Sequence, residues 1–284
     1  MHSNLHSVTS KRALLQQGAG AMEPFLKWAG GKRWAIKTLL AEMPKHYGTY
    51  VEPFLGGGSL FFAALPKKAR LSDTNAELIN AYRMVCQRNA DLERWLRWLQ
   101  RHHSKELYYK IRSRTGGGDF WAALRFIYLN RTCWNGLYRV NLRGEFNVPI
   151  GTKDLIEYRE GLSEQAKVLN SAHLQCVDFQ TSLRDAKAGD FAYVDPPYTV
   201  RHNNNGFVKY NEKIFSWSDQ ERLCEEVKRA TDRGVKVLVS NAAHDSVREL
   251  YHGVGTLIEI ERSSVLAASS SYRRREMEII VKCY

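Results

Sequence analysis

Phe191-Ala192-Tyr193-Val194-Asp195-Pro196-Pro197-Tyr198 is the stretch on which the reading of this chain turns. Its four apolar residues, closed off by a turn signal, predict a buried strand. The acid, two prolines and ring that follow predict a turn fixed at the strand's end. Each proline sets φ and lacks an N–H, so the turn is stiff and its carbonyls are left for outside donors. A flat amino group has two hydrogens to give, and the Asp195 carboxylate and Pro196 carbonyl can accept both. The Tyr198 ring can then lie on the face of the heterocycle that carries the amine. Stripped of these roles, the same residues are a strand that ends in an Asp-Pro turn.

Outward from that stretch, the chain alternates strands and helices on both sides. Thr49 to Phe54 predicts a short strand, and Gly56-Gly57-Gly58-Ser59 opens an apolar helix through Leu60, Phe61 and Phe62. Ala69 to Ser72 predicts the next strand, ending at Asp73, with helix from Ala76. On the C-terminal side, Ser218-Asp219-Gln220-Glu221 predicts a capping box for a helix that stops near Gly234. Val235 to Ser240 predicts a buried strand, and Thr256 to Glu261 with Glu276 to Tyr284 an antiparallel pair. Strand, glycine loop, helix, strand, acid is the order of nucleotide-binding α/β sheets.

The middle of the chain has another character. Leu92, Trp95, Leu96 and Leu99 recur at helical spacing and belong to a core. Gly116-Gly117-Gly118 has neither the preceding strand nor the Lys-Ser/Thr of a phosphate loop, so Asp119 is expected to cap a helix from Phe120 to Asn130. Trp134 to Asn141 and Glu145 to Pro149, around Arg143-Gly144, predict a polar, aromatic β-hairpin.

Size and composition narrow the function. The chain has 284 residues, 44% hydrophobic and 25% charged, enough for one large α/β domain with an insertion. No apolar run nears the ~20 residues of a membrane span, and Met1 to Gly20 has no signal-peptide core, so a polar leader is expected. A net charge of +12 points to a polyanionic partner as well as to a solvated basic surface. Cys86, Cys133, Cys176, Cys224 and Cys283 are odd in number and widely spaced, giving no zinc pair and no disulfide framework; a reducing cytoplasm is expected. His102-His103 reads as a helix end facing water.

The glycine loop lets backbone approach a ligand closely, and Asp73 stands 17 residues after Gly56, near the offset of a ribose-binding acid. By itself this suits NAD as well. The loop lacks the GxGxxG fingerprint, however, and no second dinucleotide half follows, so an adenosyl ligand such as S-adenosylmethionine fits better. Phe25 to Lys32 adds a glycine turn with a ring and two cations: an exposed basic loop, or a lid in which Lys32 holds a carboxylate and Trp28 covers the cofactor.

Together, Phe25–Lys32, Val51–Ser59, Ser72-Asp73-Thr74-Asn75, Asn135–Pro149 and Asp195–Tyr198 resemble the DNA adenine methyltransferase (Dam) family of N6-adenine enzymes, with five motifs in order over nearly the whole chain after residue 22. The resemblance implies a Rossmann-like S-adenosylmethionine-dependent α/β fold with an inserted helical and β-hairpin recognition domain. Residues 23–75 and 165–284 would form the catalytic domain, 76–164 the DNA-binding insert, and 1–22 a leader. Asp195, Pro196 and Tyr198 would be catalytic. Trp28, Lys32, Glu52, Phe54, Gly56, Asp73, Asp178, Phe179 and Asp195 would line the cofactor. Lys27, Trp134, Asn135, Leu137, Arg139 and Pro149 would meet double-stranded DNA at GATC or a close relative, although Trp134 stands where a smaller aromatic is usual. The arginines Arg273-Arg274-Arg275 are candidate phosphate contacts.

The chemistry so implied needs no metal. A cognate restriction endonuclease remains an open partner, and oligomeric state is not specified. N4-cytosine enzymes generally carry Ser, and RNA or protein-glutamine methylators Asn, where Asp195 stands. A catalytically silent DNA-binding relative and a dinucleotide-dependent oxidoreductase are the readings from other classes.

Overall fold

In the computed structural model, the described residues are 22–114, 116–141, 143–152, 161–200, 215–262 and 276–284. The leader before Met22 and the run Arg273-Arg274-Arg275 lie outside them. Seven strands form one sheet: β1 (Tyr50–Glu52), β2 (Ala69–Asp73), β3 (Ala172–Cys176), β4 (Phe191–Val194), β5 (Lys236–Ala242), β6 (Thr256–Arg262) and β7 (Glu276–Cys283). Their order across the sheet is β3-β2-β1-β4-β5-β7-β6. The first five are parallel neighbours, whereas β7 runs antiparallel between β5 and β6.

The apolar runs explain this layout. All four residues of β4 are buried, as parallel strands covered on both faces require. In β7, Ile279, Ile280 and Val281 are fully buried, with Val281 opposite Val239 and Ile280 opposite Ile258. Strand order reverses between β1 and β4. In open α/β sheets the ligand crevice lies beyond the carboxyl ends of the strands at such a reversal, and Asp195 directly follows β4.

The chain divides into two compact units. The larger comprises Lys32–Gly56, Lys67–Ile79 and Ala172–Tyr284, and holds the whole sheet. Its core joins Leu223, Val227 and Ala230, from the helix Trp217–Asp232, to Val237, Val239, Ile279 and Val281. That helix has its capping box two residues earlier than expected. The Ser216 side chain accepts from the Asp219 N–H while the Asp219 carboxylate accepts from the Ser216 N–H. Ser216 wins because Trp217 and Ser218 already take helical geometry. Beyond the helix, Gly234 takes the left-handed φ of +85° expected at its end.

The second unit comprises the described residues through Gly31, together with Gly57–Pro66 and Asn80–Ser171. At its centre runs the helix Gly118–Thr132, whose Ala123, Leu124, Phe126, Ile127, Tyr128, Leu129, Asn130 and Thr132 are all buried. A helix apolar nearly all round belongs inside its unit. It starts earlier than expected, with Gly117 (φ +102°) as its N-cap and Asp119 in the first turn, where a negative charge favours the helix dipole. Leu92, Leu96 and Leu99 are buried as expected, whereas Trp95 is only half-buried; its neighbour Trp98 is exposed. His102 is exposed and stacks on Trp98, whereas His103 bonds the Tyr128 hydroxyl at 2.8 Å and does not simply face water.

The expected hairpin is a looser ribbon. Its legs meet in the isolated bridges Cys133–Ile150 and Val140–Phe146, supported by Asn141 N–H to Glu145 O at 2.9 Å and Asn147 N–H to Arg139 O at 3.1 Å. The Asn141 side chain accepts from the N–H groups of Arg143 and Glu145, so it builds the turn. Among the described residues no helix is long and apolar enough to cross a membrane.

Candidate functional site

In the larger unit the Asp-Pro-Pro-Tyr turn is braced from several sides. The carbonyl of Pro197 accepts from Gln220 Nε2 at 3.2 Å, and Gln220 is held in turn by Asn241 Nδ2 at 3.1 Å. Thr199, fully buried, donates its hydroxyl to the Phe215 carbonyl at 2.5 Å. Among the described residues no donor reaches the Pro196 carbonyl. The turn is therefore pinned through Pro197 and Thr199, and among the described residues the acceptor beside Asp195 is left open.

Asp195 belongs to a buried ionic group. Its Oδ1 lies 2.9 Å from Lys32 Nζ, and that ammonium is 3.7 Å from Glu278 Oε2 and 4.5 Å from the centre of the Tyr198 ring. Tyr198 donates its hydroxyl to Glu278 Oε2 at 2.7 Å. Burial pushes the Asp195 carboxyl above its usual range. The Lys32 ammonium opposes that shift, the Glu278 carboxylate adds to it, and the Tyr198 hydroxyl opposes it. Burial, then the Asp195 and Glu278 charges, push Tyr198 far upward, so it stays a hydroxyl. Tyr193 is pushed up likewise, and its hydroxyl lies 3.0 Å from that of Ser240.

Lys32 is thus placed against protein carboxylates, almost wholly buried, and not on an exposed basic loop. Glu278 was not found by sequence reasoning. It directly precedes the Ile279-Ile280-Val281 pattern of a strand read only as half of an antiparallel pair, and its partners are remote in the chain. An acid directly before that pattern is the one signal that could have flagged it.

The expected cofactor residues of the larger unit gather at the carboxyl ends of β1, β2 and β3. Asp73 accepts from Gly56 N–H at 3.1 Å and from Asn75 N–H at 3.0 Å. Burial raises its proton affinity and these backbone donors oppose the rise. Glu52, buried, accepts the Tyr50 hydroxyl at 2.8 Å. Phe54 stacks on Phe179 with centroids 5.4 Å apart, and Phe215 meets both edge-on. Asp178 caps the helix Phe179–Arg184 and pairs with Arg222 at 2.9 Å, while the guanidinium lies 4.3 Å over the Phe179 ring. Arg222 is a further residue that sequence reasoning missed.

In the second unit, Trp28 is half-buried in an aromatic row, stacked on Tyr138 at 5.6 Å and near Phe126 at 6.3 Å. A Cβ at Gly57 would come within 3.2 Å of Trp28 Cβ, so glycine there permits close approach. Lys27 is tied by its backbone to Asn130, whose Oδ1 accepts the Lys27 N–H at 2.9 Å while its Nδ2 donates to the Lys27 carbonyl at 2.7 Å. The same Nδ2 reaches the Gly136 carbonyl at 3.3 Å. Gly136 has φ +64°, and a Cβ would stand 2.6 Å from Lys27. Only glycine fits.

The expected DNA-contacting residues share this ribbon. Trp134 is 50% exposed and Asn135 holds the left-handed φ of +54°, which asparagine tolerates. The Trp134 N–H bonds the Pro149 carbonyl at 2.9 Å, fixing both ends of the loop. Leu137 is half-buried, whereas Arg139 is exposed and donates Nε to Asn147 Oδ1 at 2.9 Å. Asn130 and Asn147, the two residues that fix Lys27 and Arg139, were not expected from sequence.

Comparison with known proteins gives one answer. Residues 28–265 match the family described as D12 class N6 adenine-specific DNA methyltransferase. A type II methyltransferase, M1.LlaDCHI of Lactococcus lactis subsp. cremoris, is 38% identical over 285 residues, covering 95% of this chain and 99% of that protein. The type II methyltransferase M.MjaIII of Methanocaldococcus jannaschii is 34% identical, with 82% and 89% covered. The DNA adenine methylase of Escherichia coli K12 is 32% identical, with 92% and 94% covered.

Proposed function

Because the chain belongs to the D12 class N6 adenine-specific DNA methyltransferases, we propose that it methylates the exocyclic N6 of an adenine extruded from duplex DNA, with S-adenosylmethionine as donor and GATC as site. The observation that carries this reading is the pinned turn with its open Pro196 carbonyl next to the buried Asp195. Adenine's amino lone pair is delocalised into the ring, so the nitrogen is a poor nucleophile. Asp195 and the Pro196 carbonyl accept its two hydrogens, which makes the nitrogen more pyramidal and aims its lone pair. As the C–N bond forms, the donor's S–CH3 bond would break and release S-adenosylhomocysteine; the N6 proton leaves only after the methyl has arrived, by way of the Asp195 carboxylate that already accepts it, since the neutral amine is a very weak acid. Orientation of this kind accounts for much of such a rate.

The donor set suits an adenosyl ligand. Asp73 takes backbone N–H groups on both oxygens, from Gly56, Asn75 and Thr74, and a carboxylate has about four acceptor sites, so a ribose hydroxyl can still be held. Phe54 and Phe179 offer ring faces, and Glu52, Gly56 and Asp178 complete the set at the strand ends. Trp28 and Lys32 belong to the same reading. When bound, S-adenosylmethionine supplies the electrophilic methyl carbon.

Extruding the base costs ~a few kcal/mol, and stacking on Tyr198 recovers part of it. Arg139 reads guanine, a contact worth ~1–3 kcal/mol of discrimination. Lys27, Trp134, Asn135, Leu137 and Pro149 are its neighbours in recognition. Two relatives are named type II methyltransferases, which supports a modification role beside a cognate endonuclease. The test is transfer of labelled methyl to duplexes containing GATC, its single-base variants and scrambled controls. Label is expected in N6-methyladenine of the GATC duplex; equal labelling of all duplexes would overturn the site, and no labelling of any would overturn the reaction.

A further inference from the structure

Glu278 is the charged residue that the reaction described above leaves unused. It lies on β7 next to three fully buried apolar residues, Ile279, Ile280 and Val281, and is itself buried. Alternation sends Ile279 and Val281 into the core packed on the helix Trp217–Asp232, and Glu278 to the other face with Ile280. An apolar residue there would be cheaper to bury, because a carboxylate taken from water must be compensated. Its compensation comes from two groups that bracket Asp195. The Tyr198 hydroxyl donates to Glu278 Oε2 at 2.7 Å, and the Lys32 ammonium lies 3.7 Å from the same oxygen and 2.9 Å from Asp195.

We propose that Glu278 is a positioning residue for methyl transfer: by competing with Asp195 for the Lys32 ammonium and holding the Tyr198 hydroxyl, it keeps Asp195 an unquenched acceptor for the target amine. The inference rests on the methyltransferase reading and deepens it. An ammonium released from Glu278 would neutralise the Asp195 carboxylate more fully and weaken its hold on the amino hydrogens. It would also remove negative charge from beside a nitrogen that becomes positive as the methyl arrives, where preorganised charge matters most. The groups facing Asp195 are Lys32 from the segment before Arg33–Ala35, Tyr198 from its own turn, Tyr193 from β4 and Glu278 from β7. Burial raises the Asp195 proton affinity and Glu278 raises it further against the pull of Lys32. Loss of the Glu278 charge therefore lowers it.

Two variants move Asp195 in opposite directions. Glu278→Gln removes the carboxylate that competes with Asp195 for Lys32. It should reduce kcat roughly tenfold to a hundredfold, leave KM for DNA and donor within about threefold, and shift the acid limb of the kcat profile to lower pH. Tyr198→Phe keeps the ring but frees Glu278 to draw on Lys32 and removes a hydroxyl from Asp195, so the limb should move to higher pH. Titration of the Asp195 carboxyl carbon by NMR in the free protein should show the same two directions without any turnover. Glu278→Asp retains the charge and should restore the limb to its original pH.

Unmoved limbs and an unmoved carboxyl titration in both variants would overturn the role, as would equal losses in the Gln and Asp variants at a constant limb. If Glu278→Gln does not fold, Glu278→Leu, which fills the same buried space without a charge, decides by the same titration: a downward shift supports the role and any other result overturns it. The unaltered protein is assayed first, so absence of methyl transfer there counts against the methyltransferase reading and not against Glu278.

Discussion

The Asp-Pro-Pro-Tyr turn and the ribbon from Trp134 to Pro149, proposed above for methyl transfer and for base reading, solve opposite problems with similar residues. Around Asp195 the charges are buried and each is braced by another, whereas Trp134, Asn135 and Arg139 are exposed on a ribbon joined by isolated bridges. Methyl transfer needs acceptors fixed before the substrate arrives and shielded from water, because charge–charge interactions weaken in high dielectric. Base reading needs donors that stay solvated until they meet a base edge. The ribbon accordingly fixes its ends through backbone, at Trp134–Pro149 and Lys27–Asn130, and leaves side chains at the surface.

The contrast is broken most severely at the turn. Asp195→Ala should reduce methyl incorporation by roughly a thousandfold or more while DNA binding, followed by fluorescence anisotropy, stays within a few-fold; comparable incorporation would remove Asp195 from the chemistry. Next in size, Asn130→Ala strips three hydrogen bonds from a buried site. It should lower unfolding free energy by about 2–4 kcal/mol in urea titrations, with a loss below 1 kcal/mol showing that the ribbon does not depend on this anchor.

Arg139→Ala should sharpen the contrast from the other side. Discrimination against a substituted guanine should fall by ~1–3 kcal/mol, measured as the ratio of kcat/KM between GATC and a variant duplex, while single-turnover methylation of the bound site changes little. An unchanged ratio would exclude it as the base reader. The smallest effect is the acid limb itself. Asp195 must be ionised to accept the amine, and burial raises its proton affinity. Activity should therefore be full above that raised value and fall about tenfold for each unit below it, with a limb above the ordinary carboxylate range. A limb at the range of a solvated aspartate would show that the site is wetter than its burial implies.

Much of this was legible because the signals are local. Phe191–Val194 became β4 without adjustment, and β2, β6 and β7 lie within a residue of their expected bounds. The glycine loop follows β1 and the Asp-Pro-Pro-Tyr turn follows β4, so the two stretches singled out in the sequence flank the reversal between those strands. Local signals misled where two neighbours compete for one role. Ser216 displaced Ser218 as the cap, and Gly117 displaced Asp119. Long-range partners left no local trace: Asn130 meets Lys27 across 103 residues, and Glu278 meets Tyr198 across 80. The ribbon was readable as two extended legs, but not as one with so few cross-links, since that depends on Asn141 turning inward to build the bend.

The place of β7 bears on how the molecule comes into being. It fills the gap between β5 and β6, yet every other strand is synthesised before it. Until residues 276–283 emerge, β6 has no sheet neighbour, β5 lacks one edge partner and the Asp195 group lacks its second carboxylate. A half-made chain on the ribosome can therefore present its glycine loop and its Asp-Pro-Pro-Tyr turn without a finished centre. Maturation of the sheet and readiness of the chemistry arrive in the same late event.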